Sequence, residues 1–309
     1  MKAFKDIELS KEEIEELIKK KEKVLSQIEK GDNYIKELSE IALLQIEINE
    51  FNKAEDKLDL CLNHFKNLND KLGIASVYGL MATLNLKKGD YKDSIEFYQK
   101  AQDIYNKLSQ KAEVIICLKG IGNAKMKMHD LEDAAVAFFE CSELASKEND
   151  IYGLLDCLGS LIQIYEKKES WEIVSELYLK TLKAFQELDD RKGIITSFFN
   201  LGIIKKNESK YGKALEYFKE GTNEAIDANY AESIIRGLSY VGETLFYLGK
   251  INEAKIQYIK ALNIAEKYKA QNAIIQIKVI LKSLGLSDDQ IETELSQYRN
   301  NREDGNSLF

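Results

Sequence analysis

The 309-residue chain has no proline, two histidines, four cysteines and one tryptophan. Without proline nothing interrupts a helix, and the turns must use other punctuation. Two histidines leave almost no raw material for acid–base chemistry: His129 falls in a turn and His64 on a helix, and both read as surface residues. The sequence has no HExxH, no glycine-rich phosphate loop and no G-x-S-x-G. No catalytic residue, metal site or cofactor is therefore expected. The cysteines form no CxxC pair and all lie in helical patterns, where Cys61 and Cys141 act as small hydrophobes. Cys117 and Cys157 sit 40 residues apart at equivalent places, about 10 Å from each other by helix-packing distances, which is beyond disulfide reach. All four thiols are read as reduced.

Long apolar runs are missing too. The longest, GIITSFFNLGII at 193–204, is too short to span a bilayer and contains Thr, Ser and Asn. Basic excess is absent: the net charge is −8, which argues against a nucleic-acid binder. The first residues, MKAFKDIELSKEE, carry no apolar signal-peptide core. The expected location is the cytoplasm, with no membrane partner.

What the chain does have is self-similarity. Ala54, Ser94, Ala134, Val174, Ala214 and Ala254 recur every 40 residues without a slip. Four residues after each stands a large side chain: Leu58, Tyr98, Phe138, Tyr178, Phe218 and Tyr258. Three further on stand Cys61, Ala101, Cys141, Thr181, Gly221 and Ala261. A period of this length means a solenoid of stacked units sharing one continuous core, and such a solenoid is usually a surface for holding something else.

One unit shows the reason. Over 75–114, apolar residues keep helical spacing through Val77, Tyr78, Met81 and Leu84, and again through Tyr91, Ile95, Tyr98, Ala101 and Tyr105. Between the two runs, Gly89 suits a left-handed helix end and Asp90 an N-cap. The break recurs at His129–Asp130, Glu169–Ser170, Ser209–Lys210 and Gly249–Lys250. Each unit is thus a pair of antiparallel helices, A then B. The small column lets helix A of the same unit approach closely, and the large column fills the space between successive units.

Helix A has columns of its own: Leu38, Tyr78, Leu118, Leu158, Phe198 and Leu238, then Ile41 to Val241 three residues on, then the mostly small Ala42, Ala82, Gly122, Ile162, Gly202 and Gly242. Together with the helix B columns this resembles the tetratricopeptide repeat. The 40-residue period and the D-x-x-G starts Asp70–Gly73, Asp150–Gly153 and Asp190–Gly193 are similar to the longer repeats of LGN-type and kinesin-light-chain-type proteins. The resemblance implies an all-α, right-handed superhelical solenoid. It assigns 1–32 to an N-terminal capping helix, 33–272 to six repeats, 273–299 to C-terminal capping helices and 300–309 to a disordered tail. At the N-terminus, Ser10 and Glu13 read as a capping box. The helix over 10–30 either covers the first repeat or dimerises as a coiled-coil stub. Lys19, Lys20 and Lys21 read as its solvated face. Ser287 reads as the cap of the last helix.

In this family the A helices line a concave groove, which implies a protein or peptide partner. The groove positions carry Lys36, Lys87, Lys119, Lys127, Lys167, Lys206 and Arg236 against Glu40, Glu47, Asp156, Glu166 and Glu243. That slight basic excess favours a partner with some acidic character. Small residues at groove positions, among them Gly79, Gly120 and Gly159, either bare the floor to a ligand backbone or ease packing between helices. Thr83, Asn123, Gln163 and Asn200 can hydrogen-bond an extended ligand. Phe199, Tyr240, Phe246 and Tyr247 either anchor a ligand or pack on the C-terminal cap. The candidate peptide-binding set is therefore Lys87, Lys119, Asn123, Gln163, Phe199, Asn200, Arg236 and Tyr240. The carboxylate clamp of chaperone-binding members resembles Lys119 and Asn123, but Ser160 stands where an Asn belongs and Thr196 and Asn200 where two basic residues belong, so tight capture of an acidic C-terminal tail is not expected. The leading reading is a non-enzymatic scaffold. The alternatives are a peptide-sensing regulator without its own DNA-binding domain, and a self-assembling structural protein.

Overall fold

The computed structural model describes residues 9–303. Among them are fifteen α-helices and no strand. The molecule is an all-α repeat solenoid, and its residues group into two compact units divided after Ile164.

The first unit begins with α1 (Lys11–Leu25), whose N-terminus closes as the expected box: Glu13 N–H donates to Ser10 Oγ at 3.3 Å and Ser10 N–H to Glu13 Oε2 at 2.7 Å. Helix α1 packs on α2 (Asp32–Glu47). Lys21 is not on a solvated face, because its ammonium reaches back to Glu37 at 3.1 Å and to Glu40. The hairpins α2/α3 (Phe51–Leu68), α4 (Lys71–Lys88)/α5 (Tyr91–Lys107) and α6 (Lys111–Lys127)/α7 (Leu131–Lys147) follow. Helix α8 (Ile151–Lys167) carries the division between units. The second unit contains α9 (Trp171–Glu187), the hairpins α10 (Arg191–Asn207)/α11 (Tyr211–Asp227) and α12 (Ala231–Tyr247)/α13 (Ile251–Lys267), and then α14 (Gln271–Ser283) and α15 (Asp288–Glu303). Ser287 caps α15 through Gln290 N–H. That helix continues to Glu303, past the expected end near Arg299. The rest of the expected tail, 304–309, lies outside the described residues, as do residues 1–8 of the N-terminal segment.

The turns explain the absence of proline. From Asn49 to Lys269 a residue with positive φ stands every 20 positions, twelve in all. Two of them, Gly89 and Gly249, are glycine; the rest include Asn69, Ser109, His129, Glu169 and Lys269. At each turn the next N–H reaches back five residues, as Asp90 N–H does to Asn85 C=O at 2.9 Å and Tyr230 N–H to Ala225 C=O at 2.9 Å. This is the Schellman closure. The residue that closes one helix is also the residue from which the next starts: Asp90 C=O accepts from Ser94 N–H at 3.0 Å. No residue is spare in the connection, and a 40-residue repeat is two 17-residue helices with two three-residue turns.

The columns pack as their sizes require. Ser94 is fully buried and donates its hydroxyl to Ala82 C=O at 2.8 Å, so α5 lies close on its own partner α4. The large column seats on the small positions of helix A: a β-carbon added to Gly122 would come within 2.7 Å of Phe138, and one on Gly202 within 2.5 Å of Phe218. The same rings reach the next repeat. Tyr98 lies 2.3 Å from where a Gly120 β-carbon would be, and Phe218 stacks on Tyr240 with centroids 4.8 Å apart.

One cysteine expectation is overturned. Cys141 of α7 and Cys157 of α8 form a disulfide, with Cα atoms 6.4 Å apart, while Cys61 and Cys117 are free and buried. The column of Cys141 faces the column of Cys157 across the B-to-A turn, 16 residues on. Only here do both columns carry cysteine, and the separation falls within bridging range.

The candidate A-helix face and its relatives

Within each unit the even-numbered helices from α2 onward, the A helices, touch their counterparts in the next repeat: α2 with α4, α4 with α6, and α10 with α12. Their outward rows form the candidate face, taken unit by unit.

In the first unit the row Ser39, Gly79, Lys119, Gly159 runs across α2, α4, α6 and α8. A β-carbon on Gly79 or Gly159 would meet nothing within 4 Å, whereas one on Gly120 would run into the Tyr98 ring. The two readings of these glycines therefore separate. Gly120 serves packing. Gly79 and Gly159 serve no contact in the chain, although mid-helix glycine costs roughly 0.5–1 kcal/mol relative to alanine. They leave bare helix backbone on the face. One turn further along, Asn123 and Gln163 are exposed. Thr83 is less available than its position implies, because its hydroxyl donates to Gly79 C=O at 3.0 Å and pairs with Tyr98 Oη at 3.0 Å.

The charges of the row are largely spent on one another. Lys87 pairs with Glu47 and Lys119 with Asp156; in the second unit Lys206 pairs with Glu243 at 2.9 Å. Each bond ties one A helix to another A helix. Three of the lysines are thus matched by three of the carboxylates counted against them, which leaves the basic excess to Lys36, Lys127, Lys167 and Arg236 against Glu40 and Glu166.

In the second unit Phe199 is not the exposed anchor considered above. It is 3% exposed. Its ring lies edge-on to Tyr240 at 5.5 Å, and the Arg236 guanidinium sits over it at 5.5 Å. The space it occupies comes from Gly221 and Gly237, where a β-carbon would lie 2.7 Å and 2.9 Å from the ring. Two missing side chains in otherwise filled columns were the sequence signal for this burial. Arg236 remains exposed and Tyr240 half-buried. Asn200 hydrogen-bonds Tyr178, whose hydroxyl also donates to Glu166 Oε1 at 3.5 Å. Burial and the neighbouring Glu166 carboxylate push the Tyr178 phenol up to about 12, so it stays a donor at neutral pH. Phe246 and Tyr247 are separate from this group: both are exposed at the end of α12, where Tyr247 stacks on Tyr211 at 5.0 Å. No group of three or more His, Cys, Asp or Glu among the described residues is placed to hold a metal ion. No helix among them is long and apolar enough to cross a membrane.

A family model described as "Tetratricopeptide repeat" matches residues 75–108, most of α4 and all of α5. With the packing columns above, that decides the kind of repeat. The α4/α5 pair is a tetratricopeptide repeat, and the other helix pairs repeat its columns. Among curated proteins, this chain is 27% identical over 146 residues to the regulatory protein RapD of Bacillus subtilis (strain 168), a match spanning 47% of this chain and 41% of that relative. Among solved structures, the apo form of RapI superposes with a TM-score of 0.51 at 11% identity, covering 81% of this chain and 97% of RapI. A signal transduction ATPase with numerous domains from Pyrococcus horikoshii, described as carrying a tetratricopeptide repeat sensor, superposes with a TM-score of 0.52 at 14% identity, covering 87% of this chain and 45% of that protein. At these identities the structural likenesses establish the fold.

Proposed function

We propose that this chain is a non-enzymatic regulatory module of the cytoplasm that binds an extended peptide or partner-protein segment on its A-helix face. The observation that carries the reading is the pair Gly79 and Gly159. Each weakens its own helix, neither makes room for any part of the chain, and both lie on one row with Lys119 between them. A ligand backbone that comes close to bare helix is the remaining use for such positions. Asn123 and Gln163 stand one turn away with carboxamides that can both donate to and accept from an extended main chain. In the second unit, Asn200, Arg236 and Tyr240 offer an amide, a cation and a half-buried ring. Within each unit the packed repeats hold that unit's groups in place beforehand, so the ordering cost falls mainly on the ligand. RapD is a regulatory protein by name and the P. horikoshii repeats are described as a sensor, which supports regulation over simple scaffolding. Acidic character in the ligand is a secondary preference, since Lys87 and Lys119 already have partners; Lys36, Lys127 and Arg236 remain for it.

The test is a peptide selected from a random library on the immobilised protein, then titrated against Gly79→Ala and Gly159→Ala. Each substitution is expected to raise the melting temperature while lowering peptide affinity about tenfold or more, a loss of about 1.4 kcal/mol. A variant that is more stable and binds as well as the parent ends the reading, as does a selection that yields no saturable binder.

A further inference from the structure

A pocket of about 510 Å³ opens in the second unit between the two B helices α11 and α13, on different residues from the A-helix row. Its floor is α12, through Ile234, Leu238 and Val241, and its apolar walls are Ile226 and Ile264. Tyr268 and, from α15, Tyr298 close one side. Around this apolar body stand Lys219, Lys260 and Lys267, with the amides of Asn223 and Gln257.

Two features set the place apart from other gaps of the solenoid. The first is a missing ring. The column of Gln257 carries Lys57, Phe97, Ala137, Leu177 and Tyr217 in the earlier repeats, a ring in two of the five and in the repeat just before. Phe97 packs on Tyr78 at 5.9 Å with Lys100 over both rings, and Tyr217 packs against the cluster of Leu182, Ile194 and Leu201. Gln257 fills nothing comparable, and the space stays open. The second is charge. Three lysines line the pocket and no carboxylate does, in a chain whose acidic residues outnumber its basic ones by 52 to 44. Elsewhere on this molecule lysines are repeatedly matched by glutamate or aspartate, as in Lys87–Glu47 and Lys206–Glu243. Lys219 has no ion-pair partner among the described residues, and Lys267 lies over the Tyr268 ring at 5.4 Å.

We infer that this pocket is a second ligand site, for a small amphipathic carboxylate whose apolar body rests on α12 and whose anion faces Lys219 and Lys267. The volume is that of a small-molecule site. An apolar floor rewards the body, and the ammonium groups of Lys219 and Lys267 at the rim reward one negative end. The site does not depend on the peptide face, and either can fail without the other.

The probe is pyrenebutyrate, titrated by fluorescence into the whole protein beside its neutral analogue pyrenebutanol. Saturable binding of one equivalent is expected, with the alcohol about tenfold weaker. Lys219→Glu with Lys267→Glu, both exposed, should weaken the acid about tenfold and leave the alcohol unchanged. Gln257→Tyr restores the ring found in the preceding repeat; it should weaken both probes about tenfold without lowering the melting temperature. Asn123→Ala with Asn200→Ala should change neither. Equal binding of acid and alcohol, parental binding by the Gln257→Tyr protein, or no saturable binding at millimolar probe each overturns the inference.

Discussion

Gly73 lies under the ring of Phe65: a β-carbon on Gly73 would stand 2.3 Å from Phe65 Cδ1 and 2.4 Å from Cγ. The pair recurs 120 residues on as Gly193 under Phe185, again at 2.3 Å. Both glycines sit three residues into a helix whose N-cap aspartate accepts their N–H, Asp70 at 3.1 Å and Asp190 at 3.1 Å. These two D-x-x-G starts are therefore two devices in one, a cap and a seat for the last ring of the preceding helix, whereas at Asp150–Gly153 the added β-carbon would first meet the Asp150 carboxylate. Gly73→Ala should destabilise the protein by about 1–3 kcal/mol through overpacking, whereas Gly79→Ala, six residues along the same helix, should stabilise it by about 0.5–1 kcal/mol. Denaturant unfolding of the two variants checks both signs. In a Phe65→Leu background the Gly73→Ala cost should shrink; a cost that stays the same would show that the ring is not the cause.

Much of this was legible from the residues because packing imposes side-chain size. Ala54 and Phe218 had to be small and large wherever their columns came round, so the register, the hairpins and the tetratricopeptide resemblance could be read from columns alone. The turns were only half legible. Positive φ is a demand on the backbone, and Asn, Ser, His, Glu, Asp and Lys all meet it here at some cost, so the 20-residue rhythm leaves no common letter. Contacts between different columns were the hardest to see. The partner of Cys141 stands in another column, the one that faces it across the turn, and nothing within its own column points there. Phe199 was placed by its position along the helix, although the space for it was written 22 and 38 residues later, at Gly221 and Gly237.

The left-handed turns give a graded prediction. Glu169 and Lys269 hold φ values of 54° and 57° with ordinary side chains. Left-handed backbone costs such residues roughly 1–2 kcal/mol and glycine almost nothing. Glu169→Gly and Lys269→Gly should each stabilise the protein by about 0.5–1 kcal/mol, the strain relief being partly offset by the greater freedom of glycine in the unfolded chain. Gly89→Ala at φ 92° should destabilise it by about 1 kcal/mol or more. Midpoints of urea unfolding at unchanged slope are the measurement. Destabilisation by both glycine substitutions would mean the turns are held by their side chains.

The Cys141–Cys157 bridge predicts a thiol count. Protein denatured without reductant and alkylated should carry two labels, on Cys61 and Cys117, and four after reduction. Four labels without reductant would show the pair to be dithiol in solution. Because the two residues are 16 apart, the bridge closes a short loop, and in the chain-entropy description reduction should cost about 3 kcal/mol. Cys141→Ala with Cys157→Ser should reproduce that loss and remove any further effect of reductant on the midpoint.

Alkali should destabilise the protein through thiols and phenols shifted by burial, Cys61 and Tyr98 among them and four others the furthest. Burial is the leading cause that pushes the Cys117 thiol and the Tyr105, Tyr178 and Tyr258 phenols up to about 12; Glu113 adds to it for Cys117, Cys117 and Glu113 for Tyr105, Glu166 for Tyr178, and Glu243 for Tyr258. Their ordinary values are 9.0 for the thiol and 10.0 for the phenols. Between those values and about 12 the folded protein holds protons that the unfolded chain has lost. Stability is therefore fully present below about pH 9 and falls as pH rises toward 12. Urea midpoints should be level from pH 7 to 9 and drop steadily above 10. Tyr178→Phe removes one of these groups, so its drop should be shallower than the parent's although the midpoint at pH 7 changes little. A parent whose midpoint is the same at pH 11 as at pH 8 would show that these groups are solvated in the folded chain, and with them the seams between repeats where Tyr105 and Cys117 lie.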